Sequence, residues 1–362
     1  MMSRGGFDVI IGNPPWREYA KVRKEYRILN YSTENCGNLH GICTERVLAL
    51  RGPHGRSSFI VQLPLVSSSR MASVRSCLRQ RSRSLYVMPF DDRPGRLFDG
   101  LEHCRAVIFL SQGVADLAAL AMSTGHYQRW LSEFRDSLFQ LFEYARPGEH
   151  SLFPDLFPKC GTELSRRVLE KLTLTDGQRL NMMLSKLATD HLIFYQEATQ
   201  YWVKAAIGLP YYAKNGAEGV QPHGRALHFR SRRDTSTAFA ALNSSLFYLY
   251  FITYGDCFHL SDTLATTFPL ASSLGSERRL PQLGRQLMGD LRANGTRETI
   301  RTSDGNEITY EEFYGWKSKP IIDEIDCVLA KHYGFTDEEL DFIINYDIKY
   351  RMGRDAESEH EG

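Results

Sequence analysis

The chain has 362 residues, of which 42% are hydrophobic and 24% charged, which excludes an intrinsically disordered protein and leaves room for one large core or two smaller ones. A formal net charge of +1 excludes nucleic-acid binding through a global positive field, so any such contact must come from local basic patches. The seven cysteines, Cys36, Cys43, Cys77, Cys104, Cys160, Cys257 and Cys327, stand singly with no CxxC pair, which argues against a disulfide frame or a metal site and for buried thiols in a reducing compartment.

In chain order, the apolar run Phe7-Asp8-Val9-Ile10-Ile11 reads as a buried strand, broken by the rigid turn Gly12-Asn13-Pro14-Pro15-Trp16. Residues 39 to 51 place Ile42, Val47, Leu48 and Leu50 at helical spacing, and Gly52-Pro53-His54-Gly55 is expected to end that helix. A strand at Ser58-Phe59-Ile60-Val61, a basic helix over about 70 to 82, and strands at Ser84 to Met88 and Ala106 to Leu110 follow. Strands alternating with helices predict an α/β, doubly wound and largely parallel sheet. Past Gly113 an aromatic-rich stretch, Tyr127 to Tyr144, reads as helical and is followed by irregular chain with Pro147, Pro154 and Pro158. Residues 190 to 270 mix short strand-like runs with polar loops, including Lys214-Asn215-Gly216 and the basic stretch Arg225 to Arg233. Pro320 opens a helix with Ile321, Ile322, Ile325, Val328 and Leu329 on one side, ended by Gly334, and Thr336-Asp337-Glu338-Glu339 is a capping box for the next. From Arg354 the chain is charged and expected to fray. No apolar run has the length of a membrane span and no signal pattern opens the chain, so a cytoplasmic location is the default expectation.

Asn13-Pro14-Pro15-Trp16, directly after a strand, resembles the catalytic tetrapeptide of amino-methyltransferases that act on adenine N6. The resemblance extends to Phe7-Asp8-Val9-Ile10-Ile11-Gly12 before it and to Gly55-Arg56-Ser57-Ser58-Phe59-Ile60-Val61 as a following strand. The chemistry accounts for the residue types. An exocyclic amine is a poor nucleophile because its lone pair is delocalised into the ring, so its two N–H bonds must be held by acceptors while a methyl sulfonium approaches in line. The Asn13 side-chain oxygen and the Pro14 carbonyl are suitable acceptors; the prolines bring no competing N–H and fix the backbone. Trp16 offers a face on which an adenine extruded from the duplex could stack. The competing reading is a plain strand-ending turn with Trp16 as a core aromatic.

Leu242-Asn243-Ser244-Ser245-Leu246-Phe247-Tyr248, Asp256-Cys257-Phe258-His259-Leu260, Phe268-Pro269-Leu270 and the ending Asp341-Phe342-Ile343-Ile344-Asn345-Tyr346-Asp347 are similar to the target-recognition region of large adenine methylases related to Type IIG restriction-modification enzymes. For these C-terminal runs, the competing reading is ordinary helix packing around Leu246, Phe247 and Tyr250. The resemblance implies a partial Rossmann-like, S-adenosylmethionine-dependent methyltransferase sheet over residues 1–115. It further implies a mixed α+β target-recognition domain over 116–272 and a C-terminal helical segment over 273–362. It also implies double-stranded DNA as partner and S-adenosylmethionine as cofactor.

The sequence departs from this family in one respect. The strand and glycine-rich loop that hold the cofactor precede the tetrapeptide in the family's order, and no Gly-x-Gly loop between strand and helix with an acidic residue on the next strand occurs here. No acidic nuclease cluster is recognisable either. The expectation is a fragment or split chain whose cofactor-binding half is supplied by an upstream protein; a non-catalytic specificity subunit or inactive remnant is the alternative. An incomplete parallel sheet is expected to expose an apolar edge.

For DNA contacts, Arg225, Arg230, Arg232 and Arg233, beside His228, are the leading candidates, and Arg70, Arg75, Arg79, Arg81 and Arg83 are a second set whose competing reading is a solvated helix face. His40, His103 and His259 read as hydrogen-bonded structural residues, and no serine or cysteine lies in a nucleophile elbow or beside a paired histidine.

Overall fold

The computed structural model describes residues 5–101, 104–114, 119–140, 142–199 and 201–351. His103, the residues around the expected boundary at 115, and the tail from Arg354 lie outside them. The chain divides into two compact units, Met1–Glu170 with Ile252–Asp256, and Lys171–Phe251 with Cys257–Gly362.

The first unit carries β1 (Phe7–Gly12), α1 (Leu39–Leu50), β2 (Arg51–Gln62), α2 (Pro64–Ser67), α3 (Ala72–Arg81), β3 (Ser84–Phe90), β4 (Ala106–Gln112), β5 (Ala121–Thr124) and the start of α4 (Glu163–Leu174). Its five strands lie in the order β1-β2-β4-β3-β5. β1 pairs parallel with β2 and β3 with β5, while β4 runs antiparallel to both neighbours. The sheet is therefore mixed. Four strands share one direction, as the alternating pattern predicted, and β4 opposes them. The described part of the link from β3 to β4 holds no helix, and such a return favours the antiparallel arrangement over a parallel crossover.

Two expectations fail here for identifiable reasons. Gly52-Pro53-His54-Gly55 does not end α1 in a loop, because β2 starts directly at Arg51 and absorbs these residues. The register jumps from Phe7 opposite Arg51 to Val9 opposite Arg56. Gly55 permits the bulge, since a Cβ there would lie 2.3 Å from the Phe7 carbonyl oxygen. The stretch Tyr127 to Tyr144 is not helical beyond a 3₁₀ turn at Ser132–Ser137. Its apolar side chains dock one by one, with Trp130, Leu138 and Phe142 packed on Met88 and Phe90 of β3, and that packing overrides local helix propensity.

Val61, Leu78, Leu85, Val107 and Phe109 are fully enclosed in this core, each worth about 1.5–3 kcal/mol of transfer free energy. β1 differs. Phe7, Val9 and Ile11 are 46%, 58% and 78% exposed, so the strand expected to be buried is an open edge, with β2 its one partner among the described residues.

The second unit contains β6 (Gly177–Arg179), β7 (Leu192–Gln196), β8 (Ala205–Ile207), β9 (Tyr212–Lys214), β10 (Ala217–Glu218), β11 (Gly224–His228), α5 (Arg232–Leu242), α6 (Ser245–Tyr254, its end counted with the first unit) and α7 (Asp262–Thr267). β12 (Pro269–Ala271), α8 (Arg279–Asn294), β13 (Thr296–Arg301), β14 (Glu307–Glu312), α9 (Lys319–Tyr333), α10 (Asp337–Asn345) and α11 (Ile348–Arg351) follow. Small antiparallel sheets, β11-β7-β8, β10-β9-β14-β13 and β12-β6, surround these helices. The stretch read as strands and polar loops therefore also holds α5 and α6, and the stretch read as a helical tail holds the β13–β14 hairpin.

Asn215 and Gly216, at φ 52° and 78°, form the turn between β9 and β10. Leu242 to Tyr248 is the α5–α6 junction, where the Ser245 and Leu246 N–H groups donate to the Asp326 carboxylate of α9 and so satisfy the α6 N-terminus. Gly334 ends α9 at φ 67° and the capping box at Thr336 and Glu339 is formed. Cys36, Cys77, Cys160 and Cys257 are buried, Cys43 and Cys104 partly so, and Cys327, against expectation, is exposed.

Candidate active site

The parallel strands β1, β2 and β3 point their carboxyl ends to one side of the sheet, where open α/β sheets place ligands. β1 ends at Gly12, packed so closely on Phe59 that a Cβ would meet its ring at 3.0 Å. Beyond it Asn13 and Pro15 are exposed, Pro14 is buried and Trp16 is half-buried. The Asn13 amide has no hydrogen-bond partner among the described residues. Trp16 is held in a fixed orientation, because its Nε1–H donates to the Ile60 carbonyl of β2 at 3.2 Å and its ring meets Phe98 edge-on at 5.8 Å.

The segment after the tetrapeptide is clamped to the start of α1. The Leu39 N–H donates to the Arg17 carbonyl at 2.9 Å and the Tyr19 N–H to the Gly37 carbonyl at 2.8 Å. Asn38 caps α1 by accepting from the His40 N–H, and its side chain donates to Gln62 at the end of β2 at 3.2 Å.

Sequence reasoning missed the acidic pair that follows β3. Asp91 is fully buried, 2.9 Å from Arg129 and 3.4 Å from Arg105. Burial opposes its charge, but the two guanidiniums outweigh burial and hold the carboxyl below the usual range. Burial pushes Asp92 up, and its Oδ1 lies 3.9 Å from Arg105 with no hydrogen bond. The legible signal was Asp-Asp immediately after an apolar strand. His40 is corrected too: both ring nitrogens are buried without an aligned hydrogen bond. Burial lowers its pKa to about 4, with Gln62 acting weakly the other way, so the ring is neutral at pH 7.

The arginines are sorted by the fold. In the first set, Arg75 is enclosed and donates to the Leu65, Ser68 and Asp155 carbonyls at 2.9, 2.7 and 2.6 Å, and Arg79 donates to the Pro154, Asp155 and Leu156 carbonyls. Arg70 pairs with Glu18; Arg81 and Arg83 are exposed. The set is thus neither a solvated face nor one basic surface. In the second set, Arg225 pairs with Glu197 at 2.5 Å, Arg230 donates to the Leu184 carbonyl and Arg233 to the Gly275 and Glu277 carbonyls. Of these four, only the Arg232 guanidinium has no partner among the described residues.

The described residues do not fit S-adenosylmethionine. Among the described residues there is no strand, glycine turn and helix with an acidic residue following beside β1, and none pairs with its outer edge. Among the described residues no three potential ligands cluster to hold a metal ion, and no helix is long and apolar enough to cross a membrane.

Residues 1–93 match the Eco57I restriction-modification methylase family. This stretch of the first unit is thus similar to a restriction-modification methylase, in line with the resemblance drawn from Asn13 to Trp16. No curated protein matches the chain in sequence. Among solved structures, the nuclease-deletion mutant of the Type ISP restriction-modification enzyme LlaGI with a DNA substrate mimic is 10% identical, covering 84% of this chain and 46% of its own, at a TM-score of 0.41. The DrdV–DNA complex is 9% identical, covering 95% and 57%, at 0.37. A class I S-adenosylmethionine-dependent methyltransferase assigned as putative, from Listeria monocytogenes, is 18% identical, covering 37% and 40%, at 0.24. The chain thus spans well under two thirds of each of these proteins.

Proposed function

We propose that this chain is the base-handling and target-recognition part of a site-specific DNA adenine-N6 methyltransferase of restriction-modification type, with the methyl donor held outside the residues described. The observation that carries the reading is Asn13-Pro14-Pro15-Trp16 at the carboxyl end of β1, inside the segment that matches the methylase family. Asn13 is exposed with a free amide, and its side-chain oxygen and the Pro14 carbonyl accept the two N–H bonds of a flipped adenine. That orients the amine and weakens the delocalisation that makes it a poor nucleophile. The Trp16 indole, pinned through Ile60, offers its face to the base. Residues 190–270 read the duplex, and the bare β1 edge, with Phe7, Val9 and Ile11 outward, is where a cofactor-binding partner pairs.

The test is tritiated methyl transfer to mixed-sequence duplex DNA by the chain alone and with the product of the reading frame immediately upstream. Transfer that Asn13→Ala lowers by about a hundredfold or more supports the reading. The misfit to the cofactor favours a second reading, a non-catalytic specificity subunit or inactive remnant; duplex binding without methyl transfer in either arm would select it.

A further inference from the structure

In the second unit, α5 and α8 border an open cleft of about 330 Å³ that carries Arg232, Arg285, Arg292 and His191 against a single acid, Asp190. Arg285 and Arg292 are seven residues apart on α8, hence on one face and about 10 Å apart along the axis. Gly289 lies between them, and a Cβ there would meet nothing within 4 Å, so the floor between the two guanidiniums is open. Arg292 is oriented by a 2.9 Å bond to the Ile207 carbonyl, which leaves its remaining donors for the cleft. Arg232, the first residue of α5, stands where the helix dipole adds positive potential. The Arg232 and Arg285 guanidiniums have no hydrogen-bond or ion-pair partner among the described residues, unlike those of Arg225, Arg230 and Arg233.

We propose that this cleft binds phosphodiester groups and is the place where the second unit grips the sugar–phosphate backbone of DNA; the inference rests on the DNA-binding reading above. Unpaired guanidinium forks suit phosphate oxygens, which they hold in bidentate fashion. Arg285 and Arg292, about 10 Å apart along α8, match roughly three nucleotide steps of one strand at an axial rise of about 3.4 Å per nucleotide. The surplus of cations over the one acid sets the sign of the ligand, and a lining without Phe, Tyr or Trp suits a backbone rather than a stacked base.

The test compares the wild-type chain with Arg232→Ala/Arg285→Ala and, separately, with Gly289→Glu, which sets a carboxylate between the arginines without touching them. Affinity for a labelled mixed-sequence duplex is read across a salt series. The double variant is expected to lose about tenfold or more at low salt, with the slope of log affinity on log salt falling by about two. Gly289→Glu is expected to reproduce the affinity loss, and Arg279→Ala, which removes an arginine paired with Glu324 outside the cleft, to leave both quantities unchanged. Wild-type binding that neither cleft variant weakens overturns the assignment while the DNA reading stands. If the wild type binds no duplex, the DNA reading fails, and the same proteins are titrated calorimetrically with inorganic phosphate. Phosphate binding that Gly289→Glu abolishes keeps the cleft as an anion site, and no phosphate binding overturns it.

Discussion

The two edges of the five-stranded sheet are finished in opposite ways. On the β5 side the chain returns to cover its own edge, where Thr124 and Ala145 exchange backbone hydrogen bonds of 2.9 and 3.1 Å. Residues 125–130 extend the cover along β3, through Gly125 to Val87 at 2.9 Å and Gln128 to Pro89 at 3.0 Å. The buried pair of Asp91 and Arg129 locks that cover in place. On the β1 side no described residue pairs with the outer edge, and apolar side chains face outward. Uncovered, hydrophobic strand edges are templates for pairing. Among the described residues, one edge of the sheet is thus covered by the chain itself and the other is bare.

The largest effect is expected on the covered edge. Arg129→Ala leaves the fully buried Asp91 with Arg105 as its remaining cation and should cost about 3 kcal/mol or more, read from urea unfolding. A loss under about 1 kcal/mol would show that the cover does not hang on this pair.

The same pair gives a pH signature of intermediate size. The Asp91 carboxyl is depressed below its ordinary value of 3.8, so its contribution is complete above that value and is lost as pH falls through the lower folded-state value. Wild-type stability should therefore drop more steeply on acidification below about pH 4 than that of Asp91→Asn. Parallel slopes would remove the carboxylate from the account.

The smallest effect on stability is expected at the bare edge. Val9→Lys and Ile11→Lys should change unfolding free energy by no more than about 0.5 kcal/mol, yet reduce self-association in sedimentation and weaken complementation in the methyl-transfer assay. A wild-type chain that is monodisperse at all concentrations, with methyl transfer indifferent to both substitutions, would erase the contrast between the edges.

Much of the first unit up to β4 was legible in the sequence. The tetrapeptide, the strand before it, α1, α3, β3 and β4 follow from apolar spacing and from proline and glycine at the breaks, because those signals are local. The capping box at Thr336 and the α9 stop at Gly334 were legible for the same reason. Gly52 to Gly55 misled because a glycine that reads as a turn also permits a bulge against a neighbouring strand. Tyr127 to Tyr144 misled because its aromatics answer to β3, far away in sequence.

Arginine shows the limit most plainly. Composition and spacing presented Arg75 and Arg79 as a basic surface, and presented Arg225, Arg230, Arg232 and Arg233 as one patch. Whether a guanidinium is spent on a carbonyl, paired with a carboxylate or left free depends on which backbone ends lie within reach, and only packing decides that. By itself the sequence determined that Asn13 to Trp16 form a rigid turn directly after a strand, since the residue types and their place in the chain are local facts. The tertiary structure alone decided that β1 is an open edge and that Arg232 stands with Arg285 and Arg292 around one cleft, because both depend on contacts between residues far apart in the chain.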